Sequence, residues 1–237
     1  ILQLSDGQRV KLAWQQETTA EGNHPFGAAN VFNLFVYDTD DDMIRNIAST
    51  ADDYSKPLIT SDGERIVYSD RAERKIYVVN FDGSNRREIA NGMAGALWFD
   101  SDSGKEWVYY QRNFDGGNSS EPINRVNLDN ISEIELVWDA SDNNVQWLAI
   151  SSDGARLAGS WPWSQCGVIE PDYAGSGDGS LYSSGNGYYT NGCWTTILPD
   201  DTYRAAVFDG PHRNWLVYDT AHGGSADRTL VLNSAPG

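Results

Sequence analysis

Basic residues are scarce in this chain of 237 residues, where 17 Lys and Arg stand against 34 Asp and Glu for a formal charge of −17. Such a field repels phosphate backbones and anionic lipid surfaces, so neither a nucleic-acid partner nor a membrane surface is expected. Lysine is scarcer still, with four against 13 arginines, and histidine occurs three times. No apolar run approaches the roughly 20 residues of a spanning helix, so membrane insertion is not expected either. The chain opens on "ILQLSDG", without a basic or apolar leader, and the expectation is that any export signal has been removed or lies outside it.

Cysteine occurs only twice, at Cys166 and Cys193. Both flank a Gly/Ser/Tyr-rich stretch (167–192) that a disulfide would restrain, and that reading predicts an oxidising compartment, extracellular or periplasmic. Two buried thiols are the alternative. What the chain has in quantity is 23 Gly, 12 Tyr and 9 Trp, with no sustained helical period. That mixture favours strands and turns, and the length suffices for a core without a metal or disulfide framework.

Repetition organises the rest. "SDGQRVKLAW" (5–14) returns as "SDGERIVYSD" (61–70) and "SDGARLAGSW" (152–161), more weakly as "DSGKEWVYYQ" (102–111) and "PDDTYRAAVF" (199–208). Each copy sets a tight turn before a strand. An apolar stretch precedes each turn, and one or two strand-like segments follow. The pattern predicts an all-β fold of five units with four strands each, a five-bladed β-propeller forming a single domain. The blades fall approximately at 1–54, 55–93, 94–142, 143–191 and 192–237. The segment "LITSDGERIVYSDRAERKIYVVNFDGSNRREI" (58–89) resembles the TolB-type propeller repeat. That resemblance implies the fold and often export, but it implies no single activity.

In a propeller, the loops after each second strand and the links between blades share one face. Those loops carry His24 and Phe26, Asp70 and Arg71, Arg112 and Phe114, Trp161 and Trp163, then Asp209, His212 and Arg213. Loops this long are often functional. Trp and Tyr offer flat faces to sugar rings, and Arg forks suit carboxylates. The expected function is recognition of a carbohydrate or polysaccharide by a secreted module that a larger protein could contain, with neutral glycans slightly preferred by the acidic field. Trp98, Trp147 and Trp194 sit on predicted inner strands, where packing is the expected role.

A polysaccharide lyase or glycoside hydrolase on the same face is the first alternative. His212 or His24 would act as base, Tyr188 or Tyr189 as proton donor, and Arg112 and Arg213 would neutralise a uronate. A protein-interaction scaffold is the second. No cofactor is expected. "DSDSGKE" (100–106) echoes the start of a calcium loop, making Asp100 and Asp102 candidates for a structural Ca site, although the closing Glu is missing.

Overall fold

The computed structural model describes residues 6–18, 31–48, 50–112, 121–138, 148–160, 165–171, 180–181, 190–198, 202–209, 213–218 and 228–231. Every regular element among them is a strand, and every pairing is antiparallel. The first sheet joins β1 (Lys11–Glu17), β2 (Phe32–Asp38) and β3 (Met43–Asn46). The second joins β4 (Tyr54–Ile59), β5 (Arg65–Asp70), β6 (Lys75–Asn80) and β7 (Arg87–Asn91), and the third β8 (Met93–Asp100), β9 (Lys105–Gln111), β10 (Ile123–Asn127) and β11 (Ile134–Trp138).

The last two units differ from the expected separate sheets. β12 (Ala149–Ile150), β13 (Leu157–Ser160), β14 (Gln165–Glu170) and β15 (Ser180–Leu181) form a ragged group. One end of β14 also pairs with β16 (Thr190–Ile197), which continues into β17 (Ala205–Asp209), β18 (Asn214–Tyr218) and β19 (Arg228–Val231).

Burial explains why the strands alternate where they do. Residues of opposite parity on one strand face different neighbours, so the second, third and fourth strand groups are covered on both faces. Leu34 and Val36 pack on Ile66, Tyr68 and Val79, while Val67, Ile76 and Val78 pack the other way on Val108, Tyr110 and Val126. Trp107, Tyr109 and Ile123 then meet Leu157 and Ile169, and Ala158, Cys166 and Val168 meet Ala205 and Val207. Among the described residues, four cores thus lie between five successive strand groups.

The Asp-Gly turns form the seams. In two units a hydroxyl two residues ahead of the Asp closes the turn: Thr60 Oγ1 donates to Asp62 Oδ1 (2.6 Å), and Ser151 Oγ to Asp153 Oδ1 (2.7 Å). Neighbouring units then grip the turn. Lys11 Nζ donates to Gly63 O (2.7 Å), Trp98 Nε1 donates to Ser152 O (3.0 Å), and the Tyr203 hydroxyl donates to Asp153. From the third sheet, buried Glu106 accepts from Ser61 Oγ at 2.6 Å and from Ser61 N at 3.2 Å. Replacing Glu106 with Ala leaves both donors without their acceptor, and hydrogen bonds to a charged group contribute about 1.5–3 kcal/mol each. The expected loss is about 2–3 kcal/mol by urea denaturation, with Ser61→Ala/Glu106→Ala less destabilised than the sum of the single changes.

The disulfide expectation is overturned: no bond joins Cys166 and Cys193. Cys166 is opposite Thr190 in the β14–β16 ladder, which puts Cys193 three positions (193 − 190) further along β16. At 3.3–3.4 Å per residue the offset is about 10 Å, beyond the roughly 7 Å between Cα atoms that a disulfide spans. Cys166 is instead fully buried in the core between the fourth and fifth groups. The oxidising compartment loses that support.

Candidate functional site

Three second strands end at equivalent positions, each opposite the start of its inner strand: Asp70 pairs with Tyr54, Gln111 with Met93, and Asp209 with Gly192. At each a polar side chain organises the loop that follows. Asp70 Oδ1 accepts from Glu73 N (3.0 Å), and Gln111 Nε2 donates to Glu121 O (2.9 Å). Asp209 Oδ1 accepts from Arg213 N (2.8 Å) and Asn214 N (3.1 Å), and its Oδ2 accepts from Asn214 Nδ2 (2.7 Å). Carboxylates and amides suit this position because they bond backbone groups a few residues on. Asp70 and Asp209 therefore serve as loop anchors.

The residues just beyond these anchors are the exposed ones. Arg71 and Arg112 follow Asp70 and Gln111, at matching places on adjacent sheets, and both are exposed. Arg71 Nε lies 3.8 Å from Asp53 Oδ2, too long for a hydrogen bond, while Asp53 Oδ1 is buried with no bonding partner. Burial pushes the Asp53 carboxyl above its ordinary range and does the same to Asp70. Arg213 is exposed in the loop that Asp209 anchors. Of the remaining residues expected at the site, His24, Phe26, Phe114, Trp161, Trp163, Tyr188, Tyr189 and His212 lie outside the described residues.

An aromatic group not foreseen as part of the site adjoins the Asp209 anchor. Phe208 stacks on Trp215 with ring centres 6.1 Å apart and planes 16° from parallel, and Trp194 meets Phe208 edge-on at 5.6 Å. All three are half-buried. Phe208 and Trp215 are cross-strand partners one step inward from Asp209 and Asn214. The signal was available: "FDGPHRNW" puts an aromatic residue on each side of a turn, where pairing brings them together. Trp98, by contrast, packs as expected, against the turn at Gly154.

Asp100 and Asp102 sit at the opposite end of the third sheet. Asp100 Oδ1 accepts from Asp102 N (3.0 Å) and Oδ2 from Ser103 Oγ (2.5 Å), an internal turn network. Among the described residues no three His, Cys, Asp or Glu side chains are grouped to hold a metal. That end also carries a charged groove of about 490 Å³ lined by Arg9, Lys11, Asp38, Glu64 and Arg65. Its cations are committed: Arg9 to Asp38 (2.6 Å), Lys11 to Glu64 (2.9 Å) and Arg65 to Asp129 (2.5 Å). The Arg9 guanidinium holds the Asp38 carboxyl down at about 2.

No family model and no curated protein sequence matches the chain. Solved structures do. TolB from Acinetobacter baumannii is 18% identical over 96% of this chain and 53% of its own, with a TM-score of 0.61. A luciferin-regenerating enzyme is 13% identical over 94% of this chain and 80% of its own, at 0.56. An oligogalacturonate lyase solved with manganese is 13% identical over 98% of this chain and 64% of its own, at 0.51. The chain therefore spans about half of TolB and less than two thirds of the lyase, and identities this low speak for fold alone. In fold, the chain resembles the TolB-like β-propellers.

Proposed function

We propose that the chain is a five-bladed propeller that recognises carbohydrate on the face where Arg71, Arg112 and the Asp209-anchored loop emerge. The supporting observation is the equivalent position of these strand ends, from which exposed arginines emerge on the second and third sheets and the Trp194–Phe208–Trp215 group adjoins the corresponding end of the fifth strand group. Aromatic rings stack on the C–H faces of sugars, while guanidinium forks take hydroxyl or carboxylate oxygens. The inner strands follow one another around a common centre in this reading, with β1 packed on β4, β4 on β8, β8 on β12 and β12 on β16. In this reading Trp161, Trp163, His24, Phe26, Phe114 and His212 complete the same rim. Placement outside the cytoplasm, whether extracellular or periplasmic, rests on the TolB-like repeat and no longer on a disulfide.

Polysaccharide pull-down combined with an assay for new reducing ends and for absorbance near 235 nm tests the reading. Retention without new ends or absorbance is the expected result, whereas turnover would convert the module into an enzyme. Trp163→Ala is expected to reduce retention at least tenfold while leaving the circular dichroism spectrum unchanged. Equal retention removes Trp163 from the site.

A further inference from the structure

Three inner strands interrupt their pairing near the same place. The register shifts between Ser55 and Leu58 in β4, between Ala94 and Ala96 in β8, and between Cys193 and Thr196 in β16. Bulges of this kind re-aim side chains. In β4 the bulge holds Lys56 at a φ of 51°, a conformation rare for a residue with a Cβ and costly enough to be sustained by its surroundings.

The surroundings come from several units. The Lys56 amide donates to Gln15 Oε1 of β1 (3.1 Å), and its Nζ donates to the carbonyl of Leu148, ahead of β12 (3.0 Å). Leu148 itself lies against Gly95, where an added Cβ would fall 2.8 Å from the leucine Cβ. The bulges of β4 and β8 and the entry to β12 thus meet at one hub. Lys56 lies two residues in from Tyr54, which pairs with Asp70 at the loop end, or about 7 Å below that rim.

The charge there is unusual. The chain has four lysines, and three pair with carboxylates: Lys11 with Glu64, Lys75 with Glu88 and Lys105 with Glu133. Lys56 forms no ion pair among the described residues, in a chain with 34 acidic groups. Gln15 from β1 and the Leu148 carbonyl bond it, neither of them ionisable, and Asp53, Asp70 and Glu17 stand at the strand ends. Solvent nevertheless reaches the lysine in part. Enclosure by protein alone draws the ammonium down to about 8. Among the described residues one of its three N–H donors is used, by Leu148, and two remain.

We infer that Lys56 is the receptor for one carboxylate group of a ligand entering the hub from the Arg71–Arg112 end. A carboxylate offers two acceptor oxygens to the two remaining donors and one negative charge to one positive charge. A doubly charged phosphate would bring a surplus charge into an enclosed site in an acidic protein. On the carbohydrate reading the group is a hexuronic acid; the receptor itself stands apart from that reading.

Isothermal titration of the full chain with glucuronate, glucose and acetate separates the two. At pH 6.5 glucuronate is expected to bind at least tenfold more tightly than glucose, and the preference should fall at pH 9.5 as the ammonium loses its proton. Lys56→Met should erase the preference, and Lys56→Arg should retain it at pH 9.5. Acetate binding that disappears in Lys56→Met, with neither sugar bound, supports the receptor and sinks the carbohydrate reading. Glucose bound as well as glucuronate overturns the receptor and leaves the carbohydrate reading intact. A preference that survives in Lys56→Met, or no binding of any of the three, overturns the receptor.

Discussion

Gly154→Ala is expected to destabilise the protein by about 3 kcal/mol, the largest effect of any single-methyl addition proposed for the Asp-Gly turns. Two costs combine. Gly154 has a φ of 74°, and an alanine forced into the left-handed region loses about 1 kcal/mol or more. Its Cβ would also sit 2.4 Å from ring atoms of Trp98, a half-buried indole that cannot swing away without losing its bond to Ser152 O. Overpacking of this sort costs roughly 1–3 kcal/mol. Because Trp98 belongs to the third sheet and Gly154 to the turn ahead of β13, the damage falls on the seam between two units.

Gly104→Ala isolates the first cost. Gly104 shares the geometry, with a φ of 69°, but an added Cβ meets nothing within 4 Å. Its expected loss is about 1 kcal/mol, and the difference between the two variants in urea denaturation measures the Trp98 contact. Equal losses would mean that the turn, and not the seam, sets the stability.

The contrast shows what the residues disclosed in advance. The Asp-Gly turns and the strands beside them were legible because both depend on local chemistry, positive φ at glycine and alternation along a strand. β1, β5, β9, β13 and β17 each follow the turn that the repeat put ahead of them. That Ser61, Ser152 and Asp153 would be gripped from neighbouring sheets was not legible, since those bonds join residues 45 to 54 positions apart. The cysteine reading failed for a related reason. Flanking one segment in sequence says nothing of ladder register, and the three-residue offset along β16 decides the matter. At the candidate site, Arg71 and Arg112 could be placed by counting from the repeat. Lys56 could not: only a bulge turns it inward, and the repeat elsewhere puts Gly95 and Trp194 in comparable bulges.

Lys56→Met is expected to stabilise the folded chain at pH 7 by about 2 kcal/mol, with a pH dependence that identifies the cause. The folded ammonium titrates at about 8 against an ordinary value of 10.5. Below pH 8 the lysine is charged in both states, and the folded protein carries the whole cost of enclosing that charge. Between pH 8 and 10.5 the folded protein has released the proton while the unfolded chain still binds it, so wild-type stability rises with pH relative to the variant. Above 10.5 both states are neutral and the advantage of methionine is gone. A depression of this size corresponds to about 3 kcal/mol at the upper limit. Leaving the Leu148 carbonyl without its donor offsets about 1 kcal/mol of that. Guanidinium denaturation of both proteins at pH 7 and pH 10 measures the difference, with salt and temperature held fixed. A stability gap that stays constant across that range would show that the ammonium is solvated well enough to keep its ordinary titration. A gap that closes as the proton leaves would mean that the chain retains, at its hub, a charge its own fold does not neutralise.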